Sequence, residues 1–74
     1  MSEIDTYIGE RLREAREAAG LSLRDVAQRL GYEPDLLAAA EAGTGTLAAR
    51  DLWLLSMVLH TSVAFFYPGV RDSD

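Results

Sequence analysis

The chain has 74 residues, enough for one small domain, and its 49% hydrophobic content is typical of a folded protein. It contains no cysteine, which excludes disulfides and thiolate metal sites and favours an intracellular setting. Twelve acids against seven basic residues, all arginine, give a net charge of −5. Proteins that bind nucleic-acid phosphates usually carry a basic surface, so this charge argues against extensive phosphate binding.

Neither a membrane helix nor a signal peptide is expected from the sequence. No apolar run reaches the roughly 18 residues of a membrane helix, and the start MSEIDTYIGE is acidic, unlike a signal peptide. We therefore expect a cytoplasmic protein with no membrane partner. One domain is predicted at residues 6–68, between flexible tails at residues 1–5 and 69–74.

Apolar periodicity predicts five helices and no strands, beginning with a helix from about Tyr7 to Ala19. Asp5 or Thr6 is its expected cap, and Gly20 ends it. Its apolar stripe consists of Ile8, Leu12, Ala15 and Ala19.

A second and a third helix follow, joined by a short glycine-containing turn. Ser22 and Asp25 form a variant capping box at the start of the second helix, and Gly31 ends it. Pro34 suits the first position of the third helix, which stops at Gly43. The predicted inward residues are Val26, Ala27, Leu30, Leu37 and Ala40.

The fourth helix, about Ala48 to Leu59, is apolar nearly all round. Leu52, Leu55, Ser56 and Leu59 form one face, and Trp53, Leu54, Met57 and Val58 form another. A chain this small cannot enclose such a helix, so we predict a homodimer. Its interface is predicted to contain Trp53, Leu54, Met57, Val58, Phe65 and Tyr67. Alternatively, Phe65, Phe66 and Tyr67 fold back over that face from a short fifth helix at 63–66, which Pro68-Gly69 terminates.

Three segments of the chain carry a family resemblance. They are IGERLREAREAAGLSLRDVAQRLG, the EAG at 41–43, and LWLLSMVLHTSVAFFYP. Together they resemble the Cro and lambda-repressor-like (XRE) helix-turn-helix family over about residues 8 to 67. The resemblance implies a compact, all-α, five-helix lambda-repressor-like domain that regulates transcription by binding double-stranded DNA. The family typically pairs an arginine of the first helix with the glutamate ending the third, which here are Arg16 and Glu41. We expect this pair to be structural.

The third helix would be the recognition helix, but its side chains suit that role poorly. The residues that it would present to DNA are Glu33, Pro34, Asp35, Leu36, Ala38 and Ala39. None is an arginine, glutamine or asparagine, the side chains that read guanine and adenine in the major groove. Leu23 also stands where DNA-binding relatives usually have a polar residue.

Anchoring to the DNA backbone is better supplied. The predicted phosphate contacts are Arg11, Arg13, Ser22, Leu23, Arg24 and Arg50. Arg29 could also contact phosphates. The alternative is that all these arginines are solvated and paired at helical spacing, as Arg13 with Glu17 or Arg29 with Asp25.

A second class of function is also compatible with the sequence. The exposed side of helices 2 and 3 is predicted to combine an apolar patch with an acidic rim of Glu33 and Asp35. The patch consists of Leu23, Leu36, Ala39 and Ala42. Such a surface would suit a protein partner, although scattered exposed apolar residues are also ordinary.

No catalytic or cofactor site is predicted. His60 is the only histidine, at the end of helix 4, where we expect a packing or capping role. The loop at 43–46 lacks the lysine of a phosphate-binding loop. We therefore expect a protein that is not an enzyme and has no small-molecule substrate, which is either a DNA-associated transcriptional regulator or a protein-interaction module on the same fold.

Overall fold

The computed structural model describes residues 3–68. In it the first helix begins earlier than the sequence predicts. Helix α1 spans Glu3–Ala18, so Asp5 and Thr6 lie within it instead of capping it, and the predicted start at Tyr7 is wrong. The acids at 3 and 5 occupy its first turn, where they interact favourably with the helix dipole. Residues 3–5 are therefore helical where a flexible tail was predicted, and the predicted tail at 69–74 lies outside the described residues.

The second and third helices agree closely with the prediction. Helix α2 spans Leu23–Leu30 and ends at Gly31, whose φ of 74° is in the left-handed region. Helix α3 spans Pro34–Ala42 and ends at Gly43, with a φ of 80°. Glycine adopts this conformation without a steric penalty, which explains why both helices stop where they do.

The last two elements are an α-helix and a 3₁₀ helix. Helix α4 spans Ala49–Leu59, with the N–H of Ala48 donating to the Asp51 carboxylate at 2.9 Å. The predicted fifth helix is a single turn of 3₁₀ helix, Val63–Phe66. Within residues 3–68 the fold thus has four α-helices and one 3₁₀ helix, with no strand.

One hydrophobic core holds these elements together. Helix α1 packs on α3 and on the 3₁₀ helix, while α4 packs on α2 and the 3₁₀ helix. The predicted inward residues are buried, except Ala19, which is exposed, and Leu30, which is half-buried. The buried apolar residues are Ile8, Leu12, Ala15, Val26, Ala27, Leu37, Ala40, Leu52, Leu55, Leu59 and Phe66.

In the described part of the chain, no helix combines the length and the apolar character that crossing a bilayer requires.

Candidate nucleic-acid interface

Helices α2 and α3 form a helix-turn-helix unit with residues 31–33 as its turn. The turn is closed by the Tyr32 N–H, which donates to the Ala27 carbonyl at 2.9 Å. The Tyr32 hydroxyl donates to the Asp51 carboxylate, which fixes the turn against the start of α4. This bond raises the pKa of the Tyr32 phenol, and the charge of nearby Arg50 opposes the rise in part.

The first turn of α2 is well defined and carries unused donors. Ser22 Oγ accepts from the Asp25 N–H at 3.0 Å, and the Ser22 N–H donates to Asp25 Oδ2 at 3.1 Å. This second bond is the main reason that the pKa of the Asp25 carboxyl lies below its usual value. Within residues 3–68 the N–H groups of Leu23 and Arg24 have no acceptor, as expected for the first residues of a helix.

The outer surface of α3 is acidic and aliphatic. Of the residues predicted to meet DNA, all except Ala39 are exposed, and Leu36 is 48% exposed. Glu33 is the N-cap residue, but its side chain makes no capping hydrogen bond. Two carboxylates and a leucine therefore stand at the tip of the unit, next to the turn.

The predicted apolar patch on this side is smaller than expected. Leu23 is half-buried and packs against the core, so its position in α2 serves stability. Ala39 is half-buried as well, and the α3–α4 loop passes close to it at Gly45. Leu36 and Ala42 remain as its exposed members.

Arg24 and Arg50 are the predicted phosphate contacts with the freest side chains. Both are exposed, and no acid in the described range lies within salt-bridge distance of either one. Arg24 occupies the second position of α2 and Arg50 the second position of α4.

The two arginines predicted from α1 are engaged by neighbours. Arg11 donates to Glu14 at 3.0 Å, and its guanidinium lies over the rings of Tyr7 and Phe65. Arg13 lies 3.5 Å from Glu17, the pairing that helical spacing predicts, with both side chains mostly exposed.

Arg16 and Glu41 form a two-point contact between α1 and the end of α3. Nε donates to Oε2 at 2.6 Å and Nη2 to Oε1 at 3.1 Å. The remaining Nη1 donates to the Leu21 carbonyl at 2.8 Å, in the loop before α2. The hydrogen bonds to Glu41 raise the pKa of Arg16 above its usual value, against the opposing effect of burial.

The residues predicted to form a dimer interface divide into two groups. Trp53 and Met57 are 54% and 56% exposed, one helical turn apart on α4. The others, Leu54, Val58, Phe65 and Tyr67, are half-buried. The segment Phe65–Tyr67 does not cover Trp53 or Met57, since both side chains remain more than half exposed.

The Tyr32–Asp51 bond was not foreseen from the sequence. The two residues are 19 positions apart, and no local spacing rule links a turn tyrosine to the third residue of a later helix. The only hint of this bond in the sequence is a tyrosine in a short turn whose other residues are small or acidic.

Comparison with known proteins agrees with this architecture. The family profile described as "Helix-turn-helix domain" matches residues 8–63. An uncharacterized HTH-type transcriptional regulator of Sinorhizobium medicae (strain WSM419) is 31% identical over 64 residues, covering 86% of this chain and 46% of the relative. The regulator R00410 of Rhizobium meliloti (strain 1021) matches with the same values. This chain thus spans less than half the length of these relatives.

Solved structures show the same fold. An HTH_3 family transcriptional regulator from Vibrio cholerae superposes with a TM-score of 0.77 at 28% identity, over 85% of this chain and 35% of that one. The apo form of HppE superposes with a TM-score of 0.81 at 30% identity, over 93% of this chain and 39% of that one. Profile, relatives and structures agree, and the chain belongs to the helix-turn-helix domain family, in the Cro and lambda-repressor-like (XRE) group.

Proposed function

We propose that this chain is the DNA-associated, non-catalytic domain of a transcriptional regulator, and that it holds duplex DNA mainly by the phosphates. The observation that carries the proposal is the pair of exposed arginines at the starts of α2 and α4, neither of which has a salt-bridge partner among residues 3–68. The free N–H groups of Leu23 and Arg24 add two donors for a phosphate oxygen beside Arg24. Membership of a family whose relatives are named transcriptional regulators supports the same function.

Base reading by α3 is expected to contribute little. Glu33 and Asp35 repel phosphates and can only accept hydrogen bonds from base amino groups, usually cytosine N4, while the alanines can contact only a thymine methyl. Sequence preference would then come from the shape and deformability of the DNA. Affinity should be weak and should fall steeply with salt, because phosphate contacts release counterions.

We further propose that two copies associate through α4 around Trp53 and Met57. Two exposed apolar side chains one turn apart on a helix form a self-complementary stripe for isologous pairing. Leu54, Val58, Phe65 and Tyr67 would border it. A DNA-binding dimer of this type presents its two α3 helices about 34 Å apart, one helical turn of DNA.

The DNA proposal is tested by fluorescence anisotropy with a random-sequence duplex at low salt. Arg24→Ala and Arg50→Ala should each weaken binding. Each should also make the slope of log binding constant against log salt concentration less steep by about one. Arg13→Ala is the matched control, because that arginine already pairs with Glu17. Absence of binding at micromolar protein would refute the proposal.

A second candidate function is protein binding by the tip of α3. The observation that favours it is Leu36, 48% exposed beside Glu33 and Asp35 on a surface that lacks base-reading side chains. Leu36→Arg separates the two functions, since it should disrupt an apolar protein contact and increase the attraction to DNA. Weaker DNA binding by Leu36→Arg would indicate that α3 contacts the duplex through the leucine itself.

A further inference from the structure

A polar cleft lies between α1 and the segment that follows α4. It encloses about 340 Å³, at the lower end of the range for small-ligand pockets. No residue of α2 or α3 lines it, so it is separate from the helix-turn-helix surface. We call it the Arg11 cleft; its lining residues are Tyr7, Arg11, Thr61, Ser62, Ala64, Phe65 and Tyr67.

Arg11 is held in this cleft by aromatic rings. Its guanidinium carbon lies 5.0 Å from the centre of the Tyr7 ring and 5.2 Å from that of Phe65. Distances of this size are typical of cation–π contacts, which orient the guanidinium plane. The side chain is 32% exposed, so the charge is partly shielded from water and still reachable from the cleft.

The guanidinium keeps donors that the protein does not use. Nη1 donates to Glu14 Oε1 at 3.0 Å, whereas Nη2 donates to no residue in the described range. Nε is buried and also has no acceptor among the described residues. Buried polar atoms normally have partners, so this arrangement is not what stability alone would favour.

We propose that the Arg11 cleft binds a small oxyanion, a carboxylate or a phosphate attached to a compact aromatic or apolar body. The unused terminal nitrogen of Arg11 would donate to the oxyanion, for which guanidinium geometry is well suited. Tyr7, Thr61 and Tyr67 also line the cleft, and their hydroxyls would add neutral donors. The Phe65 ring supplies an apolar wall for the body of the ligand.

Glu14 sets the affinity of this site. Its carboxylate competes with the ligand for Arg11, because both are acceptors for the same guanidinium. The Glu14 side chain is 56% exposed, so water screens the pair and the ligand can displace it. Removing the carboxylate should therefore strengthen binding, an effect opposite in sign to the loss of Arg11.

The test is an NMR titration of the full ¹⁵N-labelled chain with sodium benzoate, sodium phenyl phosphate and neutral benzamide. We expect saturable shifts of the Thr61, Ser62 and Ala64 amide signals with at least one anion and none with benzamide. Saturation by one anion alone identifies its head group as the preferred ligand. Arg11→Gln should weaken binding about tenfold, and Glu14→Gln should strengthen it.

Arg13→Gln is the matched control, since it removes another α1 arginine that lines no part of the cleft. It should leave the affinity unchanged. Absence of saturation by both anions, equal shifts with benzamide, or unchanged binding by Arg11→Gln would overturn the proposal. If Arg11→Gln does not fold, the Glu14→Gln variant provides the test. An anion affinity of this variant that is no higher than that of the unsubstituted chain would overturn the proposal.

Discussion

Gly9 determines how closely α1 approaches α3. A Cβ atom at this position would lie 2.2 Å from the Ala40 carbonyl oxygen and 2.8 Å from that of Glu41. Both obstacles are backbone atoms of α3, so no side-chain rotation relieves the clash. The buried alanine at 40 is the other half of this close crossing.

Gly9→Ala should therefore destabilise the fold by about 3 kcal/mol, at the upper end of the usual cost of overpacking. The measurement is urea unfolding followed by circular dichroism. Gly20→Ala is the control, because Gly20 has a φ of 72° and open space around it. It should cost about 1 kcal/mol, for the left-handed backbone alone. Equal costs for the two variants would show that α1 and α3 can move apart.

Asp25 gives α2 a predictable pH response. Its pKa is lowered in the folded chain, chiefly by the hydrogen bond from the Ser22 N–H. A lowered folded pKa means that the stabilisation is complete above the unfolded pKa of about 3.9 and is lost as the pH falls through the folded value. Acid should thus weaken the cap, and alkali should not.

The test compares the stability of the original chain and Asp25→Ala across pH. As the pH falls from about 5 to about 2, the original chain should lose stability relative to the variant. The absolute difference at neutral pH is not diagnostic, because alanine also has the higher helix propensity. A difference that stays constant over this range would contradict the proposed role of the carboxylate.

The Arg16–Glu41 pair acts at the scale of elements, since it joins α1, the α1–α2 loop and the end of α3. The two side chains are only 14% and 9% exposed, so removing one partner leaves a poorly hydrated charge. Glu41→Ala should cost about 3 to 4 kcal/mol for this reason. The cost is measured as the shift in the free energy of unfolding.

Glu17→Ala is the matched control, because it breaks the exposed pair with Arg13 and should cost less than about 1 kcal/mol. The double variant Arg16→Met/Glu41→Leu should lose less stability than Glu41→Ala, since no unpaired charge remains. If the double variant were the least stable, the stabilisation would come mainly from the packing of these side chains and from the hydrogen bond of Arg16 to the Leu21 carbonyl.

The bounds of a helix can be predicted from the sequence where the residues that start and stop it lie next to its ends. Ser22, Gly31, Pro34 and Gly43 act within one turn of their own position, and the bounds of α2 and α3 follow from them. The start of α1 was predicted too late, because Asp5 or Thr6 was expected to cap the helix and both lie within it. A four-residue segment such as 63–66 has the same apolar pattern in an α-helix and in a 3₁₀ helix, so periodicity did not separate them.

The candidate site was less predictable, because exposure depends on tertiary contacts. Leu23 was expected at the surface, yet it packs on the core. Arg11 was expected to be free for phosphates, yet two rings from opposite ends of the chain, Tyr7 and Phe65, contact it. Helical spacing does show which residues share a face of α1, but not which distant element covers that face.

At the scale of the whole molecule, the distribution of exposed groups matters more than the net charge of −5. Acids occupy the tip of α3, while arginines without a salt-bridge partner in the described part of the chain occupy the starts of α2 and α4. A single copy therefore offers few phosphate contacts, and two linked copies would double them. DNA binding by this domain is expected to depend on association for that reason.

Association is tested by measuring the molar mass in solution by light scattering. The original chain, of 8.1 kDa, should elute with about twice that mass. Met57→Glu should give monomers, because two-fold pairing brings both new carboxylates into an apolar interface, where unpaired charge is costly. Leu36→Glu is the matched control, since Leu36 is similarly exposed but lies on α3. A monomeric original chain, or dissociation by Leu36→Glu alone, would remove α4 as the interface and leave Trp53 and Met57 available to a different partner.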